Sequence, residues 1–452
     1  MDDYCEINIK HELEGLVSSD EIQSAEMSPW DKQSIYKVPA SVTNLNKEAY
    51  KPQSVSFGPY HHGEPHLKPM EKHKHRALLH FLKRSQKPLK SYVDSLAEVS
   101  QSLKDSYESL DPEWERDTNR FLHLMILDGC FMIEIMRTST KTENDYAHNS
   151  TKTENYAHND PIFSSHGKFH IVPYIKRDML MLENQLPMLL LTTLLAVEDE
   201  QTKQDEEFVN KLILKFYGHK PPNSSMGKCV HLLDVYRKSL LWEDPQGRKK
   251  ERDPRKKESC GQNSTVYEVG DDIIWSAIEL NEAGIRFEKS ESRSLKDISF
   301  KGGVLSLPHL VVDDTTESTF LNLIAFERFH VGAGNEVTSY ILFMDNIVDG
   351  AMDVSHLHAQ GIIQNAMGSD KVVAKLFNSL SKDVTLDPGS SLGGVYTAVN
   401  EYCKKRYHKW RANLCHTYFR NPWAMLSVIA AVCLFALTIV QTVYTVYSTY
   451  NN

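Results

Sequence analysis

The chain has 452 residues, a formal net charge of −9, 41% hydrophobic and 25% charged residues. That length supports one large hydrophobic core or two, and the acidic balance argues against a protein that coats nucleic acid. The seven cysteines (5, 130, 229, 260, 403, 415 and 433) are odd in number and include no CxxC pair, the usage of reduced thiols rather than of a disulfide framework.

Residues 1–33 read as an acidic, flexible arm: the first 31 carry nine acids against the single base Lys10 and no long apolar run. Such a stretch is neither a secretory signal nor a core element. A helical body over 34–400 follows, opening on the short extended stretch SIYKVP. The next stretch, from Ser54 to Arg84, holds six histidines, at 61, 62, 66, 73, 75 and 80. Gly58, Pro59 and Gly63 are expected to shape a tight loop around Tyr60, with His61 or His62 hydrogen-bonded inside it. Pro69 suits the first turn of a helix, which continues with Ala77, Leu78, Phe81 and Leu82 inward and Lys72, Lys74, Lys83 and Arg84 outward.

One helix is predicted over Leu89 to Leu110, and another from the Asp111-Pro112 start signal through RFLHLMILDGCFMIEIM, apolar on nearly all sides and therefore buried in a bundle. Arg177 to Val197 reads as a core helix kinked at Pro187. Between these lies a loop, 138–161, in which STKTENDYAHN is followed by STKTENYAHND. A polar tandem duplication of this kind belongs in a surface loop and is not a solenoid repeat. A second loop, 243–265, has seven Lys or Arg between Arg248 and Lys257 and divides the body into two halves.

The second half opens with a helix from Asp271 or Asp272 to a Gly284 cap. Short strands follow at IRFE, DISF, VLSLP and LVVDD, with a hairpin turning at Lys301-Gly302-Gly303. Helices resume at TESTFLNLIAFERFH, SYILFMDNIVDGAM, DVSHLHAQGIIQNAM and DKVVAKLFNSL, and a last one starts near Val395. Residues 401–421 form a basic juxtamembrane segment with Lys404, Lys405, Arg406, Lys409, Arg411 and Arg420 and no acid beyond Glu401. Residues 422–444 read as a transmembrane helix, since about 20 apolar residues cross a hydrocarbon core, and 445–452 as a short tail. Trp423 and Tyr444 suit the two interfaces, and the basic flank places the body in the cytosol. The fold class is mainly α, with a small β-hairpin element and one C-terminal membrane helix.

The candidate chemistry is sparse. The histidines lack the convergent spacing of a metal site. Gly389 to Gly393 matches G-x-S-x-G around Ser391, but no buried strand precedes it. Cys130 sits inside an apolar helix, where a thiol is inert. Asp128, Glu134, Glu183, Asn184, Gln185 and Glu327 fall in apolar helical sequence, where they can meet in a structural network or line a cleft. No cofactor or metal is implied, and the membrane and a protein or peptide are the expected partners.

Taken in order, IYKVP, VSFGPYHHG with LKPMEKHK, LDGCFMIEIM, DMLMLENQLPMLLL, SAIELNEAGIRFE and DISFKGGVLSLPHLVVDDTTESTFLNLIAFE, with the C-terminal span, resemble the plant family named domain of unknown function 247. The resemblance runs from about Ser34 to the end. It implies a mostly helical body, one C-terminal membrane span and no established enzyme activity. Some grass members are implicated in self-incompatibility, which points to recognition; the alternative is a membrane-tethered hydrolase or transferase using the buried carboxylates or the histidine loop. The duplication and the basic loop depart from the shared pattern.

Overall fold

The computed structural model describes residues 32–43, 46–140, 156–199, 206–222, 224–243, 274–382, 384, 392–404 and 422–450. Most of the acidic arm (1–31), residues 141–155 of the duplicated loop, the basic loop from residue 244, Ser391 and the basic juxtamembrane residues beyond Lys404 lie outside them. The chain forms two units, residues 1–253 with 314–338, and residues 254–313 with 339–452. The division is therefore not a single cut at the basic loop, because Asp314–Thr338 belongs with the first unit.

In the first unit five helices carry the polar groups considered below: α1 (Lys68–Ser85), α2 (Thr118–Thr140), α3 (Met188–Glu198), α4 (Leu232–Leu240) and α5 (Thr316–Phe329). Helix α2 is the axis of the unit. It is covered by α1, α3, Leu89–Glu98 and Glu206–Phe216, and its residues from Phe121 to Met136 are buried except for His123. This coverage is what the all-round apolar sequence demands. At Gly129 a Cβ would lie 2.5 Å from Leu194 Cδ1, so the missing side chain lets α3 approach closely.

Three expected helices are shorter than the sequence suggests. Leu89 to Leu110 divides into Leu89–Glu98 and Ser100–Asp105. The helix after Pro112 stops at Arg116, and α2 restarts behind Asp117, whose carboxylate accepts the Arg120 N–H at 2.9 Å as a cap. The stretch from Arg177 to Val197 is not one kinked helix: Val172–Asp178 ends, a 3-10 turn spans Leu182–Asn184, and α3 begins after Pro187. Proline disfavours helical geometry in the residue before it, and Asn184 and Gln185 spend their side chains on the backbone of the break.

In the second unit the helix at SAIELNE begins at Ala277 behind the non-helical residues 274–276, and Ser276 and Glu279 form a capping box; the aspartates of the expected start lie outside the described residues. Its end is a Schellman turn at Gly284, with Ile285 N–H bonded to Leu280 C=O at 3.0 Å. Strands β1 (Arg286–Lys289), β2 (Ser299–Lys301) and β3 (Val304–Leu307) form a sheet in the order β1-β3-β2, with β2 and β3 antiparallel as the predicted hairpin. Gly302 and Gly303 take φ of 61° and 82°, as the tight turn requires. The strand β4 (Leu310–Val312) pairs in parallel with β5 (Ile363–Asn365). The sequence reading placed β5 inside a helix; the helix instead stops at Ala359, because Gly361, at φ 69°, closes it with a left-handed turn. The last helix, Pro422–Tyr450, runs six residues past the predicted end of the span at Tyr444, so the expected tail is largely helical. Its Ile429–Tyr447 segment is long and apolar enough to cross a membrane and is 0% buried.

Candidate functional site

Residues 55–59 have no helix or strand yet are buried. A buried irregular backbone must find partners for each N–H and C=O, and the first unit supplies them from side chains. Asp178 Oδ2 accepts the N–H groups of Gln53 and Val55 at 3.0 Å each, and that of Ser54 between them. Asn184 Oδ1 accepts Phe57 N–H at 2.7 Å while its Nδ2 donates to Val55 C=O at 3.0 Å and Asp178 C=O at 2.9 Å. Asp128 Oδ2 accepts Gly58 N–H at 2.8 Å. Lys74 Nζ donates to Ser56 C=O at 2.7 Å and pairs with Asp128 at 2.7 Å and Glu71 at 2.8 Å. The loop is thus locked residue by residue.

Lys74 corrects an expectation. It was placed on the outer face of α1, but its side chain is 0% exposed. It stands three, four and seven residues before Ala77, Leu78 and Phe81, so helical geometry puts it on the inner face. Burial pushes the Asp128 carboxyl up, to about 6, against the pull of Lys74. The Asp178 carboxyl is also raised by burial, opposed by the three N–H groups it accepts.

The exit of the loop is a second clamp. His61 is buried, with Nδ1 2.7 Å from Glu64 Oε1 and Nε2 2.9 Å from Glu183 Oε2. Burial alone would push its pKa down, but the two carboxylates outweigh that and raise it above 6.5. The other oxygen of Glu183 accepts Val38 N–H at 2.7 Å, tying the extended IYKVP stretch to the same clamp. An imidazolium with both N–H groups donated has no lone pair left to act as a base. The arrangement is therefore suited to holding shape and charge. Around it, Tyr60 meets Tyr107 edge-on at 5.5 Å and His62 meets Trp114 at 5.5 Å, while Pro59 is buried and Gly63 exposed. Gly58 has φ 71°, and a Cβ there would lie 2.8 Å from Tyr107 Oη. Gly58→Ala is expected to cost about 1–3 kcal/mol, measurable as a lower urea midpoint of the full-length chain in detergent; an unchanged midpoint would contradict the close packing.

The remaining candidates sit apart. Gln185 bonds Met179 C=O and Met181 C=O at 2.7 Å each and accepts Leu233 N–H at 3.0 Å, holding the break before Pro187 against α4. Glu134 meets Arg84 at 2.6 Å and Tyr156 Oη at 2.9 Å. Arg84 and Arg137 share Glu198, whose pKa, which burial alone would raise, they lower. Glu327 accepts from Arg237 Nε at 2.8 Å and from Val337 and Thr338 N–H at 3.0 and 2.8 Å. Among the described residues the carboxylates thus form several small assemblies with bases and backbone. Cys130 is fully buried and its thiol is pushed up by burial. The other histidines of the opening stretch find separate partners: His66 the Pro52 carbonyl, His73 Arg76, His75 the Glu71 carbonyl and His80 the Tyr156 ring.

Sequence reasoning missed Asp178, Asn322, Arg237 and His231. Asn322 accepts Leu182 N–H at 2.8 Å and donates to Ala49 C=O at 2.9 Å. His231 caps α4, accepting Asp234 N–H on Nδ1 at 3.2 Å, with Nε2 3.0 Å from Ser34 C=O. The His-x-x-Asp spacing ahead of an apolar run was the available signal for that cap.

The stretches that build this lock are the motifs on which the resemblance rested, and comparison with known proteins agrees. The family model described as plant protein of unknown function, domain of unknown function 247, matches residues 35–437. UPF0481 protein At3g47200 of Arabidopsis thaliana is 32% identical over 443 residues, covering 92% of this chain and 87% of that protein. Putative UPF0481 protein At3g02645 of the same plant is 21% identical over 530 residues, covering 98% and 95%. No solved structure matches. On the family match and the 32% identity, the chain belongs to the plant family named domain of unknown function 247.

Proposed function

We propose that the chain is a single-pass membrane protein whose helical body faces the cytosol and acts in signalling by recognising a protein or peptide. The observation that carries the membrane half is the apolar Ile429–Tyr447 segment, 0% buried within a 29-residue helix, which nothing in the described chain covers. The basic residues ahead of it favour a cytosolic body. The recognition half is supported by the use to which the body puts its ionisable groups: Asp128, Asp178, Glu183 and Glu327 hold backbone in place. A surface so braced keeps one shape for a partner. Phe169, 77% exposed, and Tyr174, 58% exposed, offer aromatic side chains of the kind that anchor interfaces.

The test is extraction and labelling in plant cells. The full-length chain is expected to stay in the membrane pellet after alkaline carbonate, and a variant ending at Lys404 to move to the supernatant. Extraction of the full-length chain by carbonate would sink the membrane reading. A labelling enzyme fused to the N-terminus is expected to tag cytosolic signalling proteins only when the last helix is present; tagging confined to lumenal proteins would reverse the topology.

A further inference from the structure

Several histidines of the first unit are consumed by the fold: His61 sits between two carboxylates, His231 caps α4, and His66 and His75 bond backbone carbonyls. His166 and His170 are different. Both are exposed, and among the described residues neither ring is hydrogen-bonded. Their ring centres nevertheless stand 4.5 Å apart, with the planes at 39°.

Their spacing in the sequence brings them together. At i and i+4 they lie one turn apart on one face of the helix Ser165–His170, and Lys168, two residues past His166, falls on the other side. The helix is short, but its backbone is fixed at both ends. Asp160 accepts the N–H groups of Ile162 and Phe163 at 2.9 and 3.0 Å, Ser164 Oγ accepts Gly167 N–H at 3.2 Å, and Ile171 N–H bonds Gly167 C=O at 2.8 Å. A Cβ at Gly167 would overlap the Ile162 carbonyl, so the turn between the two histidines packs directly on backbone. The two imidazoles are therefore carried on a braced turn, with only their own side-chain torsions left to aim a nitrogen.

We propose that His166 and His170 form a two-histidine site for a divalent late transition metal, with copper(II) bound most tightly. Two imidazoles on one cation, each with its nitrogen about 2.0–2.1 Å from the metal, put their ring centres about 4.5 Å apart at an N–metal–N angle of about 90° and about 5.2 Å apart at the tetrahedral angle. The observed 4.5 Å is the square spacing, which copper(II) and nickel(II) prefer, and copper(II) heads the affinity order for such donors. Among the described residues no group of three or more His, Cys, Asp or Glu is placed to hold a metal, so the protein supplies two ligands here and leaves the remaining positions to water or to a donor on a partner. The proposal depends on neither the membrane reading nor the recognition reading above.

The test uses the full-length chain without an affinity tag, in detergent, with half an equivalent of copper(II) chloride. Its electron paramagnetic resonance spectrum is expected to show two imidazole nitrogens on the metal. His166→Gln and His170→Gln are each expected to remove one of them and to weaken binding about tenfold or more, because the second ring no longer acts at a high effective concentration. His309→Gln, on a histidine of the second unit, is expected to change neither. Copper(II) is also expected to raise the urea midpoint of the wild type and not that of the two variants, since only the folded helix holds the pair at this spacing. Without metal, all four chains are expected to share one midpoint. A wild-type spectrum showing a single nitrogen, or an affinity that neither His166→Gln nor His170→Gln lowers, overturns the site and assigns the copper to other histidines. A metal-free midpoint lowered in both variants, with no copper shift in the wild type, overturns it too and makes the pair a brace of the fold.

Discussion

In the variant Asp128→Leu, urea unfolding of the full-length chain in detergent is expected to show a loss of about 3–5 kcal/mol, because a buried ammonium loses its innermost counter-charge. Lys74 would keep Glu71 and the Ser56 carbonyl, but Glu71 is partly exposed and Gly58 N–H would be left without its acceptor. The reverse variant, Lys74→Met, is expected to cost less, about 1–3 kcal/mol. A carboxyl already pushed up to about 6 can escape its charge by taking a proton; a lysine still held by Glu71 has no such exit. The Lys74→Met deficit should therefore shrink as pH falls toward 5, whereas the Asp128→Leu deficit should not. The double variant is expected to lose less than the two single losses added together, since each single change strands a partner that the double change removes. Equal, additive losses with no pH difference would mean that the pair is not the coupled unit the geometry describes.

That pair also marks how far the sequence could be read. Helix positions were legible from periodicity: α1 and α5 stand where it placed them, and α2 differs only in starting at Thr118 rather than at Pro112. What periodicity could not override was chemistry: a lysine in a basic stretch was assigned to solvent, although its spacing from Ala77, Leu78 and Phe81 put it inside. The polar residues of α2 and of the stretch before α3 were recognisable as misfits in apolar sequence. Several of their partners were not, because these are backbone groups far off in sequence: Gly58 is 70 positions from Asp128 and Phe57 is 127 from Asn184. A side chain that caps a distant buried loop leaves no local pattern. The same holds for the break at Pro187, where an unbroken apolar composition masks a turn stabilised by Asn184, Gln185 and Asn322 from outside the segment's own helix geometry. The hairpin at Gly302-Gly303 was legible because its information is entirely local.

The second large effect is a pH dependence isolated by substitution at His231. This ring is 0% exposed, packed edge-on against Phe326 at 4.7 Å, and its pKa is lowered by burial to about 4. With Nδ1 accepting the Asp234 N–H, the neutral tautomer protonated on Nε2 donates to Ser34 C=O; adding a proton at Nδ1 removes the acceptor that caps α4. The sign follows from linkage. Between pH 6.5 and about 4 the unfolded chain binds a proton that the folded chain refuses, so this stabilisation is complete above 6.5 and is lost as pH falls, by about 3 kcal/mol in total. His61 runs the other way: its folded pKa is raised, so its contribution is full below 6.5 and is lost only as pH rises above that. Asp128, raised to about 6, gains stability as pH falls through the same interval in which His231 loses it. The pH profile of the wild type alone thus mixes opposing contributions. The difference between wild type and His231→Asn removes the common contributions, because asparagine caps a helix without titrating. Measured by urea unfolding at pH 7 and pH 4, that difference is expected to move by about 3 kcal/mol in favour of the variant. A difference that stays constant would mean that His231 takes up its proton as readily folded as unfolded, and that the cap on α4 does not depend on the neutral ring.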